Sequence, residues 1–407
     1  MPSASGIPLF RQALRPTIIL GMKFLFASAY SGLGGGESIQ LNLAEELTRR
    51  GLEAQLLVRE EGEFAQRWRE LGQTVHLLPF RPSSVYFLPA RSASSAVVQQ
   101  MAAILRSEKI QLGHADYHSL PYFSPAAGSL GIPRLWICMG NWFHPKSWQH
   151  GFFCNIEGRF ALTQEIREQF QKKRGFFSQR IELKPLHPGV DTKKFQPAPS
   201  RSAREALEKK FNFEPDSQII LHVGRFQDVK GHDTFQEIAR LVSQENPKAR
   251  FLVVGENLQR AADANYQQRI LSCAQADPIL KERMVYAGFV DEITDVYAAA
   301  DVFVCPSRCE SYGMANLEAM ACAVPVVSTN CGGPSETIID GVCGFLVPPR
   351  DAKTYAERIL RLLADHDLRL RMGAAGRRHV EENFNLRDST DRFLEHCVRL
   401  LRASPPQ

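Results

Sequence analysis

The side chains best placed to hold a ligand lie in the second half of the chain. Glu310 and Glu318 stand with seven residues between them, and Glu310-Ser-Tyr-Gly-Met-Ala-Asn-Leu-Glu318 runs from a turn into a predicted helix. A spacing of eight is slightly over two helical turns, so carboxylates on such a helix would face roughly the same way, about 80° apart. The backbone N–H groups from Ser311 to Asn316 would open a helix N-terminus, which favours anions such as phosphates. Upstream, Gln218-Ile-Ile-Leu-His-Val reads as a strand that ends in Gly224-Arg225. Lys230-Gly231 follow five residues later and open a predicted helix that runs to about Gln244. Arginine binds phosphate through its fork and lysine as a point charge, so Arg225 and Lys230 together make a diphosphate clamp. Either cation alone would more often be surface decoration. An acidic pair beside such a clamp suits a ligand with both hydroxyls and phosphates, as in a sugar nucleotide.

These residues need strand ends and helix starts to hold them, and the chain supplies both in alternation. Met22 to Ala29 is a short apolar strand that runs into Ser31-Gly-Leu-Gly-Gly-Gly-Glu37. A predicted helix from Ser38 to Gly51 has Ile39, Leu41, Leu43, Ala44 and Leu47 on its apolar face, and a second strand spans Glu53 to Val58. This is a β-α-β unit with a glycine-rich first turn, which lets backbone approach a ligand at a helix N-terminus. The glycines are not spaced as a dinucleotide fingerprint. Alternation continues with helices near Glu63–Leu71, Ser94–Ser107 and Ser119–Leu130 and one starting at Gln164, and strands near Thr74–Leu78, Gln111–Ala115, Pro133–Cys138, Ala161–Thr163 and Ile181–Leu183. An open, mostly parallel sheet covered by helices follows, and in such sheets ligands bind beyond the C-terminal strand ends. Two of those ends, His114-Ala-Asp-Tyr-His118 and Met139-Gly-Asn-Trp-Phe-His144, are candidates for an acceptor site. Three of four tryptophans, Trp136, Trp142 and Trp148, cluster at the second. Trp136 falls inside a strand and reads as core, whereas the Trp142 and Trp148 indoles could pack on a sugar face. His114 and His118 fall at a strand end, not on one helix face, and do not read as a metal site.

Pro- and Gly-rich residues 186–200 read as a linker, after which the pattern restarts. Strands are predicted near Arg250–Gly255, Met284–Ala287, Asp301–Pro306 and Val324–Ser328, with helices near Ala261–Gln275, Glu292–Ala299, Asp351–Asp365 and Asp367–Glu382. Gly288-Phe-Val290 lies at a strand end suited to hydrogen-bonding a base. Gly332 and Gly333 can bring backbone close to a ligand. The last helix, near Leu386 to Leu401, places Phe393, Leu394, Cys397, Val398 and Leu401 on one side and must dock on something. Asp365-His-Asp367 has the letters of a metal-dependent sugar-nucleotide motif, but its place at a helix junction makes it a cap.

At 407 residues the default is two domains of about 180 residues each. A hydrophobic content of 44% with 23% charged residues is that of a globular protein, and a net charge of +5 does not imply a nucleic-acid partner. Arg159 to Lys184 is locally basic and carries Phe170, Phe176 and Phe177. Its Lys172–Phe177 portion could contact an anionic membrane peripherally, although a solvated helix end is the favoured reading. Nine cysteines without a Cys-x-x-Cys pair read as reduced core residues of a cytoplasmic protein, with no zinc site. Arg11 and Arg15 before an apolar run ending Ala27-Ser28-Ala29 mimic a signal peptide. Lys23 interrupts that run, and cleavage there would remove the first strand, so residues 1–21 are taken as an extension.

Gly34-Gly-Gly-Glu37, Gly189-Val-Asp191, Gly224-Arg225 with Lys230-Gly231, the Glu310 to Glu318 block, Ala323-Val-Pro-Val-Val327 and Gly332-Gly-Pro-Ser-Glu336 together resemble a family 4 glycosyltransferase of group 1, over roughly residues 22 to 400. The resemblance implies an α/β, GT-B architecture. Residues 22–195 would form an acceptor-side Rossmann-like domain, 196–384 a donor domain across a cleft, and 385–407 a helix crossing back with a short tail. It implies hexosyl transfer from a nucleotide-diphosphate sugar to a hydroxyl of a glycan, lipid-linked or small-molecule acceptor, with retention and without metal or other cofactor. Arg225, Lys230 and Glu310 would be catalytic, the cations stabilising the departing nucleotide and Glu310 orienting the sugar. Glu318 would bind ribose, and Gly35, Gly36, Gly224, Gly288, Gly313, Met314 and Ala315 would line the donor. Asp116, His118, Asn141 and Trp142 would face the acceptor. One departure matters: Met139 occupies a place where the family often has a histidine touching the donor sugar, and Asp116 stands where a second histidine is common. A catalytically silent sugar-nucleotide binder of the same fold is the alternative that Met139 motivates. A dehydrogenase is a weaker third reading.

Overall fold

The computed structural model describes residues 21–82, 95–140, 153, 155–172, 181–198, 201–256, 261–290 and 292–403. Asn141, Trp142, Trp148 and residues 173–177 of the basic patch lie outside them.

The first half contains β1 (Lys23–Ser28), α1 (Gly35–Arg49), β2 (Glu53–Val58), α2 (Glu63–Glu70), β3 (Val75–Leu77), α3 (Ser95–Ser107), β4 (Leu112–Ala115), α4 (Leu120–Gly128), β5 (Arg134–Cys138), β6 (Gly158–Ala161), α5 (Gln164–Lys172) and β7 (Lys184–Pro185). Its seven strands pair in the order β3-β2-β1-β4-β5-β6-β7, all parallel. Phe24, Leu25 and Phe26 are consecutive and all buried, as expected for a parallel strand covered on both faces.

The second half contains α6 (Arg201–Phe211), β8 (Gln218–Val223), a 3₁₀ turn at Asp228–Lys230, α7 (His232–Glu245), β9 (Ala249–Val254), α8 (Ala261–Ala276), α9 (Pro278–Arg283), β10 (Met284–Tyr286), α10 (Ile293–Ala298) and β11 (Val302–Cys305). It continues with α11 (Met314–Ala321), β12 (Val326–Thr329), α12 (Pro334–Thr337), β13 (Gly344–Val347), α13 (Ala352–Ala364), α14 (His366–Asn383) and α15 (Leu386–Ala403). Six parallel strands pair in the order β10-β9-β8-β11-β12-β13. In both sheets the order reverses beside the first strand, between β1 and β4 and between β8 and β11. Those are the crevices where open α/β sheets bind ligands.

Two predicted strands are displaced. The ladder uses Gly158–Ala161 instead of Ala161–Thr163, and Lys184–Pro185 instead of Ile181–Leu183. Ile181 and Leu183 are buried without pairing, so their alternation reports burial and not a strand. Four elements had no prediction. The highly charged α6 carries a weak apolar stripe, and α9, α12 and β13 span only six, four and four residues. Asp365 caps α14, accepting from Leu368 N at 2.8 Å, as expected.

The final helix docks where its apolar side requires. α15 crosses back to the first sheet, with the Phe393 ring 6.2 Å from Phe24 and Asp391 paired to Arg50. Polar contacts hold the halves together near the hinge. Tyr312 donates to Pro188 O at 2.8 Å, and Arg377 donates to Phe195 O and Thr192 O at 2.6 and 2.9 Å. The Glu336 carboxylate accepts from Gln164 N and Glu165 N at 2.9 and 3.0 Å, placing a negative charge from the second half on the N-terminus of α5.

Candidate active site

β8 and β11 are neighbours in the second sheet, so the loops leaving them open into one crevice. From the first loop, Lys230 Nζ reaches Glu310 Oε2 at 2.7 Å across 80 residues of sequence. Ser307 Oγ donates to the same oxygen at 3.2 Å. Burial, the largest influence, pulls the Lys230 ammonium down, but the Glu310 charge and hydrogen bond together with Cys305 outweigh it and hold the group above its usual value. Lys230 is therefore a fixed cation. Its position depends on Gly231, which has φ +71° and whose added Cβ would lie 2.2 Å from Pro306 O. Only a glycine lets the turn approach the end of β11 so closely.

Arg225, half-buried, projects from the end of β8 towards the first half. A Cβ added to Gly34 would lie 3.1 Å from Arg225 Nη1 and 2.6 Å from Glu37 Oε2, so the guanidinium and the Glu37 carboxylate flank the glycine-rich turn. Burial, reinforced by Asp116, raises the Glu37 pKa, and Arg225 partly offsets the rise. Gly35 and Gly36 open α1, and an added Cβ at Gly35 would meet nothing within 4 Å. The N-terminus of this fifteen-residue helix lies next to Arg225, with the Glu37 carboxylate hydrogen-bonded to the backbone of Gly34 and Glu37 at that end.

The two glutamates that drew attention in the sequence do not share a helix face. Gly313 takes φ +85° as the N-cap of α11, so Glu310 lies in the preceding loop and the eight-residue helical spacing does not apply. Glu310 turns to Lys230. Glu318 turns to Tyr297 of α10, whose hydroxyl donates to its Oε2 at 2.8 Å. Burial raises the Glu318 pKa, and the Tyr297 hydrogen bond opposes the rise. Met314 and Ala315, half-buried, form the first turn of α11, where helical N–H groups have no intrahelical acceptor. Gly224 continues the β8 ladder through N–H to Val254 O at 2.9 Å. At the end of β10, Gly288 O accepts from Gly255 N at 2.9 Å, and the adjacent Phe289 is 52% exposed.

On the first-half wall, Asp116 is a brace. One carboxylate oxygen accepts from Ala29 N at 2.8 Å and Ser28 Oγ at 3.1 Å, and the other from Ser119 N at 2.7 Å. Its lone pairs tie the end of β1 to the start of α4. His118 is half-buried, packed against Tyr117 at 3.8 Å between ring centroids and edge-on to Tyr30 at 5.2 Å. Met139 lies against the glycine turn, its Sδ 3.0 Å from where a Gly36 Cβ would be. Among the described residues no group of three His, Cys, Asp or Glu side chains is arranged to hold a metal ion.

The comparisons with known proteins cover both halves. Residues 34–187 match the family described as glycosyl transferase 4-like domain, and residues 203–379 match glycosyl transferases group 1. The D-inositol 3-phosphate glycosyltransferase of Paenarthrobacter aurescens is 36% identical over 379 residues, 86% of this chain and 90% of that protein. The chain belongs to the group 1 glycosyltransferases. A protein of the same name from Streptomyces bingchenggensis is 32% identical over 226 residues, 54% of this chain and 48% of the relative. The crystal structure of Anabaena HepE in complex with UDP and glucose superposes with a TM-score of 0.77 at 18% identity, covering 93% of this chain and 99% of that one. The glycosyltransferase thus has the GT-B fold.

Several residues that shape this glycosyltransferase's site carried no signal in the sequence. Tyr297 reads as an ordinary core aromatic, and only its hydroxyl contact with Glu318 singles it out. His232 sits after Lys230-Gly231. Its ring stacks on Phe226 at 4.4 Å, and Nε2 bonds Arg225 O at 2.9 Å, which holds the loop bearing the arginine. Arg308 pairs with Asp228 and Asp233, fastening the 3₁₀ turn to the β11 loop. Phe170 leaves the basic patch proposed from sequence, being buried against Trp136 and Phe153. No described helix is long and apolar enough to cross a membrane. Cys273 and Cys309 are exposed, so the cysteines are not all core residues.

Proposed function

We propose that this glycosyltransferase moves a sugar from a nucleoside-diphosphate sugar to a hydroxyl acceptor, with retention at the anomeric carbon and without a metal ion. The observation that carries this reading is the Lys230 ammonium, held 2.7 Å from Glu310 in the crevice between β8 and β11, with Arg225 beside the N-terminus of α1. A diphosphate placed there meets two fixed cations and a helix end, which supply the charge stabilisation that a departing nucleotide needs. Glu310 keeps Lys230 charged and aimed before the donor arrives, then orients the sugar hydroxyls as the phosphate takes over the ammonium. Glu318, steadied by Tyr297, accepts from the ribose hydroxyls, and the backbone around Gly288 meets the base. With the leaving phosphate held this way, the acceptor hydroxyl attacks from the same face. Its proton passes to a phosphate oxygen, and no protein nucleophile is required.

The relatives' name makes D-inositol 3-phosphate the first acceptor to offer, followed by glycan and lipid-linked hydroxyls. A thermal-shift screen with UDP-, GDP- and ADP-sugars identifies the donor, because a ligand that binds only the folded state raises its stability. Transfer or hydrolysis of the stabilising donor in the presence of a chelator supports the proposal. Nucleotide binding without turnover of any sugar would leave the silent binder that Met139 motivates.

A further inference from the structure

Two cysteines lie side by side at the rim of the crevice and take no part in the proposed transfer. Cys309 is exposed in the loop after β11, and Cys331 is half-buried in the turn after β12. The two segments are stitched together. Gly333 N donates to Glu310 O at 3.2 Å, the Cys331 thiol donates to Arg308 O at 3.8 Å, and the Cys309 and Cys331 thiols hydrogen-bond each other. Cys309 is thus bracketed by two residues whose backbone is already bonded to the Cys331 turn. Among the other described cysteines, Cys138, Cys305, Cys322, Cys343 and Cys397 are buried and Cys273 lies on α8.

We propose that Cys309 and Cys331 form a redox-active thiol pair that a hydroperoxide converts to an intrachain disulfide, fastening the loop that carries Glu310 to the 331–333 turn. Thiols already in contact need little backbone movement to reach disulfide geometry. The exposed Cys309 thiolate attacks the peroxide oxygen, giving a sulfenic acid and releasing water or an alcohol. The Cys331 sulfur then attacks the sulfenic sulfur, the S–S bond forms, and the sulfenic oxygen leaves as water with the thiol proton. The balance is two thiols and one hydroperoxide to one disulfide, water, and a second water or an alcohol. The hydrogen bond to Cys309, together with burial, pushes the Cys331 thiol well above its ordinary range, which suits it to the resolving and not the attacking role. A dithiol reductant reverses the step by exchange. Because Glu310 follows Cys309 directly, the disulfide restrains the Glu310–Lys230 pair. That functional consequence rests on the proposed donor site, whereas formation of the bond does not.

The full-length reduced protein is treated with hydrogen peroxide, blocked with N-ethylmaleimide, and digested with trypsin and a glutamate-specific protease. Cleavage after Arg308, Glu310, Glu318 and Glu336 separates the Cys309-Glu310 dipeptide from the fragment 319–336. The expected product joins the two with loss of two hydrogens, fragmentation places the bond at Cys331 and not Cys322, and dithiothreitol releases it. Turnover falls severalfold on oxidation and returns on reduction. Cys309→Ser and Cys331→Ser keep wild-type turnover when reduced and lose the peroxide response. Recovery of Cys309 as a sulfinic acid, or of both thiols as maleimide adducts after oxidation of the native protein, would overturn the pairing. A peroxide response undiminished in Cys331→Ser would overturn the switch even if the bond forms. Linkage without any change in turnover would count against the role assigned to Glu310.

Discussion

Replacing Lys230 with alanine should damage stability and turnover by separable routes. The ammonium lies 2.7 Å from Glu310 Oε2, and the two side chains are 22% and 12% exposed. At an effective dielectric constant near 20, unit charges at that separation attract by about 6 kcal/mol. Desolvation of both groups cancels part of this, and the carboxylate left behind keeps Ser307 as a partner. The expected loss in Lys230→Ala is therefore about 3 kcal/mol, mostly from leaving a buried charge unpaired. Lys230→Ala combined with Glu310→Gln removes that charge and should recover most of the stability. Turnover should not recover, because the donor's phosphates still lack the cation; removing a charge-stabilising donor costs about 10²–10³-fold. The assay is denaturant unfolding of wild type, both single variants and the double variant, beside turnover at saturating nucleotide sugar. Turnover in the double variant within a few fold of wild type would refute the clamp. Equal stability of Lys230→Ala and wild type would refute the energetic role of the pair. The folded-state pKa of Lys230 is raised, so the pair's contribution is complete below the unfolded lysine value near 10.5 and is lost as pH rises through the folded one.

Tyr297→Phe deletes the 2.8 Å hydrogen bond that steadies Glu318 and should weaken nucleotide binding by about 1.5 kcal/mol, roughly tenfold; unchanged affinity by calorimetry would remove Glu318 from ribose recognition. Gly231→Ala forces a side chain into φ +71° with its Cβ 2.2 Å from Pro306 O, and should cost about 2 kcal/mol or more while displacing Lys230; an unaltered melting temperature with normal turnover would contradict the geometry. His114 is buried with neither ring nitrogen partnered, and burial lowers its pKa from 6.5 to about 4. Unfolding then takes up a proton, so stability should decline as pH falls from about 6.5 towards 4, by up to about 3 kcal/mol for this residue. His114→Phe should flatten that limb of the profile, and an identical acid limb would show that the imidazole is not held neutral.

The alternation of strands and helices was legible because parallel strands buried on both faces write themselves as continuous apolar runs, as at Phe24-Leu25-Phe26. The types of side chain at the proposed donor site were legible as well, since Arg225, Lys230 and Glu310 are unusual at strand ends. Their meeting was not. Lys230 and Glu310 touch only because β8 pairs with β11, a long-range choice that local pattern does not encode. The inference that Glu310 and Glu318 share a helix face failed because one left-handed residue, Gly313, ends the helix before Met314. Asp116 drew attention as a replacement for a histidine, but its carboxylate serves the backbone of two neighbouring turns, which needs the position of Ala29 to see. Phe170 looked like part of a surface patch because its neighbours are charged, whereas the amphipathic α5 turns it inward beside Trp136.

The measurement that bears most directly on the account follows the anomeric centre. The purified protein is incubated with the α-linked nucleoside-diphosphate sugar selected by thermal shift, with D-inositol 3-phosphate or another hydroxyl acceptor, in the presence of a chelator, and the product is observed by proton NMR as it forms. The account predicts transfer undiminished by the chelator and a first-formed product with the α configuration of the donor. A β-configured first product, or transfer that stops when divalent ions are removed, would contradict it.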